Sequence, residues 1–179
     1  MVCNRCIATV KNVLDETGIA YRSVLLGEAL PEQAVDATKL AQLAVALEAA
    51  GFALLDDARS KIIEKIKTII IQQVHYASES SQQNLSDLLT ENLHKDYSAL
   101  SKLFSAIEGT TIEKYAIGQK VERIKELLAY DELNLNEIAF KLGYSSTAHL
   151  SSQFKKVTGL SPSHFKRKGN AARKPLDEV

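Results

Sequence analysis

The chain has 179 residues, which is enough for one domain or two small ones. Hydrophobic residues make up 45% and charged residues 25%, a balance that is typical of globular proteins and excludes a disordered chain. Lys and Arg number 22, as do Asp and Glu, so the formal net charge is zero. A zero net charge argues against a polyanionic partner only if the charges are evenly spread.

The charges are not evenly spread. Residues 1–57 carry four basic and eight acidic side chains, whereas residues 58–179 carry 18 basic and 14 acidic ones. No acidic residue lies between Glu137 and Asp177, and the basic residues of that stretch are Lys141, Lys155, Lys156, Lys166, Arg167, Lys168, Arg173 and Lys174. This asymmetry predicts a molecule of two parts, the first acidic and the second basic.

The first part mixes helices and strands. Hydrophobic spacing and glycine positions predict helix at 6–17, strands at 21–26 and 28–30, helix at 38–50 and a third strand at 52–55. No run approaches the roughly 20 apolar residues of a membrane span, and no leader is visible, so we expect a cytoplasmic protein that contacts no membrane.

The second part is predicted to be helical throughout. The predicted helices cover 58–76, 85–93, 97–108, 112–129, 135–142, 147–158 and a last segment from 162, with a Ser/Gln-rich loop at 78–83. Capping signals support them: Asn84, Asp96, Thr110 with Glu113, Asn134 with Glu137, Ser145 or Ser146, and Ser161.

One arrangement occurs twice in these helices. A short helix, a tight turn and a second helix occupy 85–108 and again 135–158, with Leu100 and Phe104 at the positions of Leu150 and Phe154. Two helices joined by a short turn form the helix-turn-helix pattern, whose second helix enters the major groove of DNA. The alternative is a plain helical hairpin. The duplication, together with the polar and acid-free second helix of the second copy, favours DNA.

The second part resembles the DNA-binding region of AraC-type transcriptional regulators. The motifs that carry this resemblance are 135–139 (Leu-Asn-Glu-Ile-Ala), 142–144 (Leu-Gly-Tyr), 149–150, 154–156 (Phe-Lys-Lys), 158–159 (Thr-Gly) and 161–165, with upstream matches at 100–104, 108–109, Tyr115 and 120–128. The resemblance covers about residues 62–168. It implies two recognition helices in successive major grooves of double-stranded DNA, held by the long helix 112–129.

The resemblance also implies which residues contact DNA. They are Ser98, Ala99, Ser101 and Lys102 in the first unit, and Ser146, Thr147, Ala148, Ser151, Ser152, Lys155 and Lys156 in the second. Ser152 stands where relatives often place Arg or Gln, so bidentate guanine readout is not expected there. Thr90 and His94 stand where the family prefers Ala and Gly, which predicts a weaker or differently angled first unit.

The two cysteines, Cys3 and Cys6, form a Cys-x-x-Cys pair just before the first helix. Such a pair can clasp one soft cation, and the alternatives are a redox pair or two incidental thiols. With Met1, the segment resembles the Met-x-Cys-x-x-Cys core of heavy-metal-associated domains. That resemblance implies Cys3 and Cys6 as ligands for Cu(I), with Zn(II) or Cd(II) as alternatives.

Heavy-metal-associated domains have a ferredoxin-like βαββαβ fold, and this chain begins at the loop after their first, central strand. We therefore expect the true start to lie upstream, or a gap in the sheet, or another segment or subunit in that place. The predicted fold class is α+β, with a module lacking its first strand followed by an all-α domain. The predicted domains are 1–57 (metal-associated module), 58–83 (helix and loop), 84–168 (double helix-turn-helix) and 169–179 (basic, disordered tail).

The sequence therefore predicts a sequence-specific, AraC-type transcription regulator that responds to metal, and not an enzyme, since it holds no phosphate loop, nucleophile elbow or paired-carboxylate site. One alternative is a metal carrier whose helical half contacts proteins. A third interpretation makes residues 1–57 a dimerisation piece that binds no metal, in a homodimer.

Overall fold

The structure is a computed structural model that describes residues 1–55, 57–76 and 83–168, and for Lys168 the backbone only. The elements are α1 (Asn4–Glu16), β1 (Tyr21–Leu25), β2 (Glu28–Pro31), α2 (Ala37–Ala49), α3 (Ala58–Ile71), a π-helical turn (Gln72–Tyr76), α4 (Leu85–Leu93), α5 (Tyr97–Glu108), α6 (Ile112–Tyr130), α7 (Leu135–Lys141), α8 (Thr147–Thr158) and α9 (Pro162–Lys168). The described residues divide into two compact units, of which the first ends at Thr68 and the second begins at Ile69.

The first unit is built around the hairpin of β1 and β2, which pair antiparallel with an irregularity between Tyr21 and Ser23. Its core is formed by one face of α1, one face of α2 and the inward residues of the hairpin: Val10, Val13, Leu14, Ile19, Val24, Leu43 and Leu47. The order α1, β1, β2, α2 confirms that part of the prediction.

The predicted third strand at 52–55 is wrong: these residues form no strand, and Phe52 takes part in the C-terminal cap of α2. The N–H of Phe52 donates to the carbonyl of Leu47 (2.8 Å), and the N–H of Gly51 donates to that of Glu48 (3.0 Å), while Gly51 has φ +80°. These two bonds form a Schellman motif, which uses the donor that a strand would offer to its neighbour. The described residues of the first unit therefore contain a two-stranded sheet, and the ferredoxin-like module is not confirmed.

The second unit has the predicted sequence of helices. The bounds of α4, α5 and α8 match the prediction, while the predicted helix 58–76 is α-helical only to Ile71 and ends in the π-helical turn. Two caps differ from prediction: Thr111, not Thr110, caps α6, and Asp96 makes no side-chain cap bond to α5. The loop predicted at 78–83 and the tail at 169–179 lie outside the described residues, apart from Gln83.

Candidate nucleic-acid interface

The first helix-turn-helix consists of α4 and α5. Leu100 and Phe104 are fully buried on one side of α5, while Ser98, Ala99 and Lys102 are exposed on the other. Ser101 is half-buried at the flank of the helix. Three of the four predicted contact residues therefore lie on an outward face of α5, and the fourth lies at its edge.

The second helix-turn-helix consists of α7 and α8. Leu150 and Phe154 are fully buried, whereas the predicted contact residues Ser146, Ala148, Ser152, Lys155 and Lys156 are exposed and Thr147 and Ser151 are half-buried. The Ser146 hydroxyl oxygen accepts the N–H of His149 (3.1 Å), so this residue also caps the helix. The exposed part of α8 carries two lysines and no carboxylate, which suits a polyanion.

The long helix α6 holds both units. Its N-terminal Tyr115 packs on Phe104 of α5, with ring centroids 5.7 Å apart. Further along, a buried core joins its apolar side to α7, α8 and α9: Val121, Ile124, Leu127, Leu128, Ile138, Ala139, Leu142, Leu150, Phe154 and Phe165. Within this core the rings of Phe154 and Phe165 meet edge to face at 5.5 Å. The recognition helices are thus seated on one rigid element.

Charged side chains also lie inside this region. Glu122 and Lys125 are 7% exposed and their side chains are 2.6 Å apart, and the ammonium of Lys125 stands 5.8 Å from the Phe165 ring. Removing one charge of such a pair leaves the other buried without its partner, which is far more costly than losing a surface pair. The sequence patterns gave no signal for this pair, because residues 122 and 125 look like an ordinary exposed i,i+3 pair.

Tyr144 is the centre of a polar group beside α8 that was not predicted. Its hydroxyl donates to Gln153 Oε1 (2.6 Å), the ammonium of Lys120 lies 5.2 Å from its ring centroid, and the His149 ring meets it edge-on at 5.3 Å. Burial raises the pKa of Tyr144 to about 12 and lowers the pKa of Lys120. These contacts fix the start of α8 relative to α6.

His149 itself is exposed on α8, with its Nδ1 3.1 Å from the Ser145 hydroxyl. The ring packs on Tyr144 and remains accessible, so its position is compatible with a packing role and with a phosphate contact. A catalytic role has no support in its surroundings.

In the first helix-turn-helix, a different polar contact links the recognition helix α5 to α6. The Tyr97 hydroxyl, at the start of α5, donates to Glu113 Oε1 of α6 (2.5 Å). Burial, and then this bond to a carboxylate, raise the pKa of Tyr97, while the same bond lowers the pKa of Glu113. The two recognition helices are therefore attached to α6 by unrelated contacts, although their cores are repeated.

The cysteine pair lies in the first compact unit, residues 1–68. Cys3 precedes the first residue of α1, and its Sγ lies 3.5 Å from that of Cys6, with both thiols half-buried. Burial opposes ionisation of Cys3, but hydrogen bonds from Cys6 and from the Arg5 backbone, with the Arg5 charge, outweigh it and lower the pKa of this thiol. In the described part of the chain, no group of three or more His, Cys, Asp or Glu side chains is placed to hold a metal.

No helix in the described ranges combines the length and apolar character that crossing a membrane requires.

Comparisons with known proteins concern the helical part of the chain. A family profile described as "Helix-turn-helix domain" matches residues 89–168. An uncharacterized transcriptional regulatory protein of Bacillus subtilis, YesN, is 30% identical over 115 residues, which are 63% of this chain and 30% of that protein. The chain thus matches under a third of that relative's length.

Solved structures agree with this match. The C-terminal domain of AraT, a response regulator from Geobacillus stearothermophilus, aligns with a TM-score of 0.54 at 25% identity, covering 66% of this chain and 94% of that domain. A transcriptional regulator of Chromobacterium violaceum, described as having an AraC-type DNA-binding domain, shares the fold with a TM-score of 0.50 at 20% identity over 62% of this chain and 96% of its own. All three proteins are described as regulators.

Proposed function

We propose that the chain is an AraC-type transcription regulator that binds double-stranded DNA through α5 and α8, supported by the helix-turn-helix match over residues 89–168 and by the similarity to the AraT C-terminal domain. The observation that carries the proposal is the pair of outward helix faces, Ser98, Ala99 and Lys102 in one unit and Ala148, Ser152, Lys155 and Lys156 in the other, which hold no acid. Two such helices on one rigid support enter major grooves about 34 Å apart along the duplex.

The side chains on these faces define the kind of contact. Small and hydroxylated residues such as Ser98, Ala148 and Ser152 allow close approach to base edges, and Lys102, Lys155 and Lys156 neutralise phosphates. Neither outward face offers an arginine for bidentate guanine readout, so base preference comes from hydroxyl hydrogen bonds, methyl contacts and DNA shape.

A gel-shift series tests DNA binding. The probe is a duplex selected from a random library by the full chain, and binding is measured from about 50 to 200 mM salt. We expect a selected duplex to bind more tightly than a scrambled one, with an affinity that falls steeply with salt. Failure to enrich any sequence, with no shift on any genomic fragment, refutes the proposal.

We further propose that Cys3 and Cys6 bind a soft cation, with Cu(I) preferred over Zn(II). The two sulfurs are already 3.5 Å apart, thiolates select Cu(I), and structural Zn(II) requires four ligands, which the described residues do not gather. When bound, the ion would join two thiolates at the start of α1. Cys3 and Cys6 would hold it, and its entry would release their protons.

Competition with a Cu(I) chelator tests this site. We expect Cys3→Ser and Cys6→Ser each to lose most of the affinity of the parent chain, and Ser23→Ala, a change at an exposed site in β1, to keep it. Tight Cu(I) binding by a chain that shifts no DNA would support the metal carrier instead. If the Cys3→Ser/Cys6→Ser variant responds to metal in a reporter assay as the parent chain does, the result would support residues 1–57 as a dimerisation piece that binds no metal.

A further inference from the structure

The π-helical turn before the first helix-turn-helix is fastened to the helices around it. The His75 ring Nε2 lies 3.1 Å from Gln119 Oε1 of α6, and Val74 beside it is 8% exposed. The Gln73 side-chain amide donates to the carbonyl of Gln83 (2.8 Å), whose own amide donates to Glu91 of α4 (2.7 Å). Because π-helical turns are rare and recur at functional sites, this attached turn is a candidate for a functional role.

Gln119 connects this turn to the interior. Its side chain is fully buried, and its Nε2 donates to the Tyr115 hydroxyl at 3.2 Å. Because the amide nitrogen donates there, Oε1 is the acceptor on the other side, and His75 must donate from Nε2. The Gln119 side-chain amide therefore forms hydrogen bonds to both His75 and Tyr115, and its orientation depends on both bonds.

The path continues to the first recognition helix. The Tyr115 ring packs on Phe104 with centroids 5.7 Å apart and planes tilted by 58°, and Phe104 is fully buried beneath α5. His75, Gln119, Tyr115 and Phe104 thus form a continuous chain of contacts from the π-helical turn to α5.

The second unit has the same aromatic contact without the polar one. Phe165 stands at the position of Tyr115 and packs on Phe154 at 5.5 Å, but it has no hydroxyl to receive an amide. The second unit has the Lys125 ammonium 5.8 Å from the Phe165 ring instead, so an amide–hydroxyl bond at this aromatic contact belongs to the first unit alone and is not needed to build the repeat. It points to a function confined to the first unit.

We infer that Gln119 and Tyr115 are positioning residues, which transmit the docking of the π-helical turn to the first recognition helix and so set its fit to DNA. This inference rests on the proposed DNA binding.

A double-mutant cycle with three duplexes tests the relay. Tyr115→Phe removes only the hydroxyl and keeps the ring on Phe104, and His75→Ala removes the other partner of Gln119. Tyr144→Phe is the matched control, since it removes a hydroxyl bond to Gln153 in the second unit. The duplexes are the selected sequence and two versions in which one half-site is scrambled, all at temperatures where each variant is folded by circular dichroism.

We expect Tyr115→Phe and His75→Ala each to weaken binding roughly threefold to tenfold on the selected duplex, the range of one neutral hydrogen bond. The loss should vanish when the half-site of the first unit is scrambled, whereas the loss from Tyr144→Phe should persist there. The double variant should be little worse than either single one, because Gln119 loses its orientation in both.

Equal losses on all three duplexes, or additive losses in the double variant, would overturn the relay while leaving DNA binding intact. Absence of binding by the parent chain on every duplex would overturn both, so the two failures are distinguishable.

Discussion

At the scale of single residues, the turns of the two repeats place different residue types in the left-handed conformation. The residue after α4 is His94, with φ +50°, and the corresponding residue after α7 is Gly143, with φ +68°. Side chains are strained in this left-handed conformation by about 1–2 kcal/mol, whereas glycine is not. The departure from the family pattern at His94 is therefore a local stability cost in the first unit.

We expect His94→Gly to raise the free energy of unfolding by about 0.5 kcal/mol, because relief of strain exceeds the added entropy of the unfolded chain. Gly143→Ala is the mirror experiment. Nothing lies within 4 Å of a Cβ there, so its expected loss of about 1 kcal/mol comes from the backbone alone. Urea midpoints measure both, and a destabilising His94→Gly would show that the imidazole makes a contact worth more than the strain.

His75 gives the second prediction at this scale. Burial lowers its pKa below the ordinary 6.5, with Arg123 acting in the same direction, while the bond to Gln119 and the charges of Glu126 and Glu122 oppose the shift. The unfolded chain thus takes up a proton at a pH where the folded chain does not. The stability contributed by neutral His75 is complete above about pH 6.5 and is lost as the pH falls through the folded pKa.

We therefore expect the unit that contains His75 (residues 69–168) to lose stability as the pH falls below about 6.5, and His75→Gln, which keeps a donor for Gln119 but does not titrate, to lose less. The measurement is the difference between the two pH profiles of the melting temperature, which cancels the other histidines. Superimposable profiles would contradict a shifted pKa at His75.

At the scale of elements, helix caps explain where the local prediction was reliable. Asn134 and Glu137 form a full capping box: the Asn134 side chain accepts the N–H of Asn136 (2.9 Å) and of Glu137 (3.1 Å), and Glu137 accepts the N–H of Asn134 (2.6 Å). Asp96 also offers a side-chain oxygen acceptor but makes no side-chain bond to α5. A capping residue type is therefore necessary for a cap without being sufficient.

We expect Asn134→Ala to lower the free energy of unfolding by about 1 kcal/mol, the usual value of a used cap. Asp96→Ala should lower it by only a few tenths of a kcal/mol, through its charge at the helix start. Chemical denaturation of both variants decides the point. Equal losses would mean that the Asn134 side-chain bonds contribute no more than an Asp96 side chain that makes no cap bond.

At the scale of the whole molecule, the zero net charge hides opposite local charges. The acid-free stretch begins after Glu137 and includes α8, whose outward Lys155 and Lys156 have one counterpart on α5, Lys102. The two units should therefore share phosphate binding unequally. This is a consequence of the uneven distribution noted in the sequence, now located on exposed helix faces.

We expect Lys155→Ala/Lys156→Ala to reduce the slope of log affinity against log salt by up to about 1.8, and Lys102→Ala by up to about 0.9, since each phosphate contact contributes about 0.9. Lys39→Ala/Lys61→Ala removes the same charge from exposed sites within residues 1–68, outside both helix-turn-helix units, and should leave the slope unchanged. A larger effect of Lys102→Ala would mean that the first helix-turn-helix dominates phosphate binding.

The sequence by itself determined the helices of the second unit, the hairpin with its two flanking helices and the buried residues Leu100, Phe104, Leu150 and Phe154, because spacing, caps and glycines act within a few residues. Only the structure decided that 52–55 forms no strand and that Phe52 instead closes the end of α2. Likewise, His75 and Gln119 meet across 44 positions and Glu122 pairs with Lys125 inside a core. The physical reason is that a hydrogen-bonding group has several possible partners along a chain, and burial against the other elements selects one of them.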